Sequence, residues 1–270
     1  MKFGVNLSCF PKKVFFFEDI LKIIAELNYS GIELALSEED ISENIIDFKV
    51  KFNNLRRICE DFGLEVPSIC GGLFWKYNPL LEENREIALK IFERCSSAAA
   101  VVGAKVVLTV PGVAIPDISY EKLFEKTVRW LKEISVIAER NNIIIGVENV
   151  WNKYLAGPLE FKMLLDKVDN EYVKAYFDVG NTLPHSLPEH WIKMLNKYIV
   201  ALHLKDFSIK TFRFGIPLTG SVNWKNIVNV LKEINYNGYG ILEIPPYEGH
   251  PYKAIQDART SLDIIFKNFG

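Results

Sequence analysis

The stretch Lys105-Val106-Val107-Leu108-Thr109-Val110, a helical segment, and then Ile143-Ile144-Ile145-Gly146-Val147-Glu148 decides the fold. Both flanking runs are short, nearly continuous in apolar residues and bounded by turn signals, the pattern of strands covered on both faces and therefore of a parallel sheet. Between them Val128, Leu131, Ile134 and Ile137 recur every three or four residues, so that one helical face is apolar. Asn141-Asn142 then supplies residues that tolerate the left-handed conformation ending a helix.

The same unit repeats in both directions. Further strand candidates are Phe3–Leu7, Gly31–Ala35, Val66–Cys70, Val173–Phe177, Ile199–Leu202 and Tyr239–Leu242, each pair separated by room for a helix. Helix ends recur at Asn28 through Gly31, Phe62-Gly63, Val102-Gly103 and Asn235 through Gly238. Eight such units in 270 residues predict one (β/α)8 TIM barrel domain over residues 1–270, a fold whose usual length is about 250 residues. The rival is an open doubly wound sheet, which carries a glycine-rich phosphate loop after its first strand. Here that strand runs into Ser8-Cys9-Phe10-Pro11.

Composition narrows the function classes. The chain is 49% hydrophobic and 24% charged, with 32 basic against 34 acidic residues and a net charge of −2. That excludes a disordered chain and lacks the basic excess of a nucleic-acid binder. No apolar run reaches the roughly 18 residues of a membrane span, and the Phe15-Phe16-Phe17 cluster is cut by Glu18 and Asp19. Met1 through Asn6 reads directly into a strand rather than into a secretory signal. Cys9, Cys59, Cys70 and Cys95 show neither CxxC spacing nor clustering with histidine. The expectation is a cytoplasmic protein without disulfides, structural zinc or a membrane partner.

Catalytic groups of such barrels sit where the strands end. Strand five ends on Glu148, strand six on Asp178, strand seven on His203 and strand eight on Glu243. Each follows a run too apolar to house a charge without a partner, and the gaps of 30, 25 and 40 residues each hold one helix. Singly, an acid after a strand caps a helix and a lone histidine is a core residue; jointly they converge on one barrel mouth. Three carboxylates and an imidazole form a hard, oxygen-rich set that suits Mn²⁺ or Mg²⁺ and tolerates Co²⁺ or Zn²⁺.

The segments Glu148-Asn149-Val150, Phe177-Asp178-Val179-Gly180-Asn181, His203-Leu204-Lys205-Asp206, Gly220-Ser221-Val222-Asn223-Trp224 and Asn237 through Glu243 resemble the xylose-isomerase-like sugar phosphate isomerase/epimerase superfamily. Within it the likeness is greatest to the L-ribulose or L-xylulose 5-phosphate 3-epimerase and D-tagatose 3-epimerase branches. The resemblance implies one divalent metal, Mn²⁺ first, held by Glu148, Asp178, His203 and Glu243. It also implies C3 epimerisation of a ketose or ketose phosphate through a metal-bound cis-enediolate, with Glu148 and Glu243 as the acid/base pair. A Lewis acid stabilises the charge developing on the carbonyl oxygen, and two carboxylates on opposite faces take and return the proton. An aldose–ketose isomerase or a keto-sugar or keto-inositol dehydratase begins the same way and stays open. Family members commonly form dimers or tetramers, so a homo-oligomer is expected.

Further substrate contacts fall on Asn181, Lys205 and Arg213. Lys205 lies two residues beyond His203, so strand alternation turns both to one side, where it holds a substrate oxygen, steers a phosphate, or simply pairs with Asp206. Asn181 stands where the tagatose-epimerase branch has a sugar-contacting histidine. Arg213 resembles a family arginine near the substrate's distal end. Trp75 and Trp151 are candidates for shielding the site or packing on the sugar. The loop Cys70-Gly71-Gly72-Leu73-Phe74-Trp75 lacks the basic or histidine residues of the ribulose-phosphate branch, which keeps an unphosphorylated ketose open. Apurinic endonucleases of the superfamily need extra histidines; Cys70-Gly71, Thr109-Val110 and Asn181 occupy those places, which disfavours nucleic acid. A non-catalytic carbohydrate-binding barrel has no need of the two glutamates.

Overall fold

The computed structural model describes residues 1–11, 16–250 and 252–268; Phe15 of the aromatic cluster lies outside them. Its strands are β1 (Lys2–Asn6), β2 (Gly31–Ala35), β3 (Ser68–Cys70), β4 (Val106–Thr109), β5 (Ile144–Glu148), β6 (Val173–Asp178), β7 (Ile199–Leu204), β8 (Asp206–Ser208), β9 (Arg213–Gly215) and β10 (Tyr239–Leu242). All but β8 and β9 form a closed parallel barrel in which β10 returns to pair with β1, Lys2 opposite Tyr239 and Val5 opposite Leu242. Closure removes the open-sheet alternative. β8 and β9 are a separate antiparallel pair.

The helices are α1 (Phe17–Glu26), α2 (Glu38–Ser42), α3 (Ile45–Asp61), α4 (Arg85–Val102), α5 (Tyr120–Asn141), α6 (Pro158–Val168), α7 (Pro188–Leu195), α8 (Trp224–Glu233) and α9 (Lys253–Asn268). Among the described residues none is long and apolar enough to cross a membrane. Local chemistry sets their ends. Ser119 accepts the Lys122 N–H at the start of α5, and Asn142, at φ +53°, terminates it. Asn28, Gly63, Gly103 and Asn235 also take positive φ at the turns where helix stops were expected. From α5, Val128, Leu131 and Ile134 are buried, the larger side chains each contributing roughly 1.5–3 kcal/mol.

The main core lies between the barrel and its helices, and a smaller one fills the barrel with Val106, Leu108, Tyr176, Ala201 and Ile241. Every second residue of each strand points inward. Gly146 has no room for a side chain, since a Cβ there would come within 2.9 Å of Val106 and 3.0 Å of Tyr176. The same alternation carries the inward series past the apolar layer to Asn6, Glu33, Ser68, Glu148, Asp178 and His203, a polar layer buried toward the strand ends. A register shift between β6 and β7 brings Asp178 directly opposite His203.

Candidate active site

Glu148 and Asp178 are the last residues of β5 and β6, His203 is the next to last of β7, and Glu243 follows β10 directly. Parallel strands end at the same side of the barrel, so these four meet. One donor atom from each lies within 4.8 Å of all the others. His203 Nδ1 stands 3.1 Å from Glu148, 3.4 Å from Glu243 and 3.7 Å from Asp178. Its other nitrogen, Nε2, is 2.9 Å from Glu33.

Asn149 holds Asp178 by both backbone groups, its Nδ2 donating to the Asp178 carbonyl at 2.9 Å and its Oδ1 accepting the Asp178 N–H at 2.7 Å. Asp178 Oδ1 accepts the Asn181 N–H at 2.8 Å. Asp178 Oδ2 is buried and forms an ion pair with Lys205 Nζ at 2.8 Å. The same ammonium donates to Glu243 Oε2 at 2.5 Å and sits 4.8 Å from the ring centre of Phe214. Lys205 thus pairs with two cluster carboxylates and not with Asp206. Asp206 instead accepts from the N–H groups of Phe207, Leu218 and Val222 and from Trp224 Nε1, tying down the connection between β7 and α8.

These contacts move the acidities apart. Burial pushes the Glu148 carboxyl up to about 7, against the hydrogen bond from His203. Burial also raises Asp178, with Lys205 opposing it. At Glu243 burial acts in the same sense, but Lys205 and His203 overcome it and hold the group down to about 2. Burial alone would lower the His203 imidazole; Glu243 and Glu33 outweigh it and raise it well above its ordinary value.

Two adjoining hollows, of about 580 and 320 Å³, share Trp75, Glu148 and Glu243 in their walls. That range suits a small ligand. Asn181, Lys205, Trp151 and Phe214 line the smaller one. Asn181 also donates from Nδ2 to the Asn149 carbonyl at 2.9 Å and accepts at its own carbonyl from Trp151 Nε1 at 2.8 Å. Trp75 and Trp151 are each partly exposed at this mouth. Arg213 is not brought into the cluster: it is exposed on β9, opposite Ser208, and the inward position there belongs to Phe214. A further hollow, of about 410 Å³, opens elsewhere among Arg56, Glu65, Lys105 and Tyr239 and contains none of the four converging residues.

Among the described residues, four carboxylates, counting Glu33, face one ammonium and one imidazole here. Such an excess of buried negative charge is costly alone and is reduced by two units when a dication enters. The hard oxygen-and-nitrogen donor set fits the same conclusion. The cluster could hold a divalent metal. A thiolate has no part in it: all four cysteines are free, and burial pushes the Cys9 thiol up to about 12.

Glu33 was not foreseen from the sequence. Its signal was a single charge inside the apolar run Gly31-Ile32-Glu33-Leu34-Ala35, on an inward position of a strand with no solvent to reach.

A closed eight-stranded parallel barrel with an acidic, histidine-bearing mouth defines the class. The chain belongs to the xylose isomerase-like TIM barrel family, whose profile matches residues 21–267. An uncharacterized protein of Methanocaldococcus jannaschii is 22% identical to it over 241 residues, 87% of this chain and 89% of that one. Among solved structures, the IolI protein with a bound zinc atom has a TM-score of 0.83 at 18% identity, covering 100% of this chain and 99% of its own. A D-tagatose 3-epimerase-like protein has a TM-score of 0.81 at 21% identity, covering 100% of both chains. At these identities the structural likeness bears on the fold.

Proposed function

We propose that this protein is a divalent-metal-dependent 3-epimerase of a ketose or ketose phosphate, with Glu148, Asp178, His203 and Glu243 holding one ion, Mn²⁺ in preference to Mg²⁺, Co²⁺ or Zn²⁺. The observation that carries it is the placement of two glutamates. Glu148 and Glu243 enter one cavity from β5 and from the end of β10, on either side of Asp178 and His203. A binding module needs no such pair. The similarity to a D-tagatose 3-epimerase-like protein and to a zinc-bound relative supports this reading.

The bound ion would supply Lewis acidity at the carbonyl and the neighbouring hydroxyl, where negative charge develops as the α-proton leaves. The chain's own groups do the rest. One glutamate removes the proton at C3 from one face and the other returns a proton from the opposite face, each step contributing roughly 10²–10⁴-fold. Reversal of the reaction exchanges their roles. Lys205, once an ion shares Asp178 and Glu243, is free to donate to a substrate oxygen. Trp75 and Trp151 narrow the mouth against water.

The reaction is tested by incubating Mn²⁺-loaded protein with ketoses and their phosphates in D₂O and following it by NMR. Deuterium at C3 with inverted configuration is the expected result. Exchange at C1 or C2 with an aldose product would make it an isomerase instead, and loss of water a dehydratase. Glu148→Gln and Glu243→Gln should each lower turnover by at least about 10²-fold while circular dichroism shows the fold intact. Full activity in either variant removes the two-carboxylate mechanism.

A further inference from the structure

Beneath the metal-binding atoms lies a second carboxylate with no path to solvent. Glu33 projects inward from β2 with its side chain 0% exposed. Ser68 Oγ donates to its Oε1 at 2.6 Å and Tyr176 Oη at 2.7 Å. Asn6 Nδ2 donates to Oε2, which also meets His203 Nε2 at 2.9 Å. Each oxygen therefore has two partners, drawn from β1, β3, β6 and β7. An ionised carboxylate only accepts, and Asn6 Nδ2 and the two hydroxyls occupy it as donors, so the His203 ring must present N–H at Nε2.

We infer that Glu33 is a positioning residue that sets the ring orientation and tautomer of His203, so that Nε2 carries the hydrogen and Nδ1 offers its lone pair to a divalent ion among Glu148, Asp178 and Glu243. The inference rests on the reading of that cluster as a metal site. It adds a residue that no strand-end pattern selects, because Glu33 lies inside the barrel on the side of the imidazole away from the cavity.

The physical case is geometric. An imidazole has one lone pair when neutral, and it points to the cavity only if the other nitrogen is protonated. The four contacts on Glu33 hold the hydrogen at Nε2, so that the proton an ion would displace is the one at Nδ1, which in the metal-free chain faces Glu148 at 3.1 Å. They also clamp the ring, because Asn6, Ser68 and Tyr176 pin the carboxylate from three other strands. A carboxylate hydrogen-bonded to the far nitrogen of a metal-binding histidine also raises its basicity, and losing such a partner typically weakens metal affinity roughly 10–100-fold.

The test uses Zn²⁺ as probe, with dissociation constants from chelator competition on the full chain. Glu33→Gln keeps the size but removes the charge and places an amide donor among the four contacts. Its Zn²⁺ dissociation constant should rise about 10–100-fold. Ser68→Ala removes one of the contacts that pin Glu33 but keeps its charge and its bond to His203, and should weaken Zn²⁺ binding less than Glu33→Gln does. A merely structural role would lower the melting temperature of both variants alike and leave Zn²⁺ affinity unmoved. Independently of any variant, long-range ¹H–¹⁵N spectra of histidine-labelled, Zn²⁺-bound protein should show His203 protonated at Nε2 and bound at Nδ1. The other histidines, His185, His190 and His250, are exposed, so the buried ring is distinguishable. Zn²⁺ at Nε2, or unchanged affinity in Glu33→Gln, overturns the inference and leaves the metal site standing. No Zn²⁺ bound by the unaltered protein removes both.

Discussion

Replacing Lys205 with methionine removes an ammonium that faces two cluster carboxylates while keeping an unbranched apolar stem. In the unaltered chain Nζ lies 2.8 Å from Asp178 and 2.5 Å from Glu243, with the lysine side chain only 9% exposed. Breaking a buried pair by deleting one partner costs about 3–5 kcal/mol. A second route gives the same direction. Glu243 is held at about 2 against an ordinary 4.5 by Lys205 and His203 together, and at 1.36 kcal/mol per unit that difference, about 3 kcal/mol, is shared between the two cations. The sign is that of a depressed acid: the stabilisation is present above the unfolded value of 4.5 and disappears as pH falls toward 2. At pH 7, in EDTA, Lys205→Met should therefore melt about 6–10 °C below the unaltered protein, taking about 2 °C per kcal/mol for a chain of this size. Mn²⁺ should restore more of the loss than it adds to the unaltered protein, because the ion no longer competes with an ammonium for Asp178 and Glu243. A hundredfold excess over the dissociation constant adds about 2.7 kcal/mol. Thermal melts followed by circular dichroism, with EDTA and with Mn²⁺, measure both effects. A variant that melts within about 2 °C of the unaltered protein in EDTA, or one that gains less from Mn²⁺, refutes the reasoning.

Two further outcomes follow from the same contacts. Because the folded state holds Glu148 at about 7 rather than 4.5, the unfolded chain releases that proton first, so metal-free protein should lose stability as pH rises between about 4.5 and 7. His203, also raised, extends the decline above its unfolded value, and saturating Mn²⁺ should flatten the slope; denaturant titrations at pH 5, 6 and 7 would show it, and equal slopes with and without metal would contradict it. Asp206→Ala strips a common acceptor from three backbone N–H groups and the Trp224 indole, and should cost about 3 kcal/mol or more; an unchanged urea midpoint would mean that this carboxylate does not hold the β7–α8 connection.

Most of the architecture was legible because parallel barrel strands are buried on both faces. The runs at residues 106–109 and 173–178 stand out from amphipathic helices, and Asn142 and Gly103 mark the stops by a backbone conformation few other residues adopt. β8 and β9 escaped notice because three-residue strands carry too little pattern; their pairing is set by the Asp206 hydrogen bonds and by Phe207 packing on Phe214. The convergence of Glu148, Asp178, His203 and Glu243 could be read from their shared place at strand ends, which topology alone brings together. Lys205 was turned to the correct side by alternation, but its partners lie on other strands and are invisible to sequence spacing. Glu33 was hidden for the converse reason: one acid within an apolar strand gives no periodic signal, and its meaning depends on a histidine 170 residues away.

The polar layer divides its charge between two supports. Glu33 is satisfied from within by Asn6, Ser68, Tyr176 and His203, and Glu243 by Lys205 at the cavity side. Glu148 is bonded to His203, with Glu243 and Asp178 nearby, and burial prevails there. The two glutamates therefore differ in the metal-free chain: near neutral pH one carries a proton part of the time while the other is fully ionised. The proposed epimerisation calls for a base on one face of the carbon and an acid on the other. Environments that separate two like groups by several units of acidity are how one barrel mouth obtains both from a single residue type. The asymmetry traces to the burial that raises Glu148 and to the two cations that hold Glu243 down, His203 and the lysine that the period of β7 places two residues beyond it.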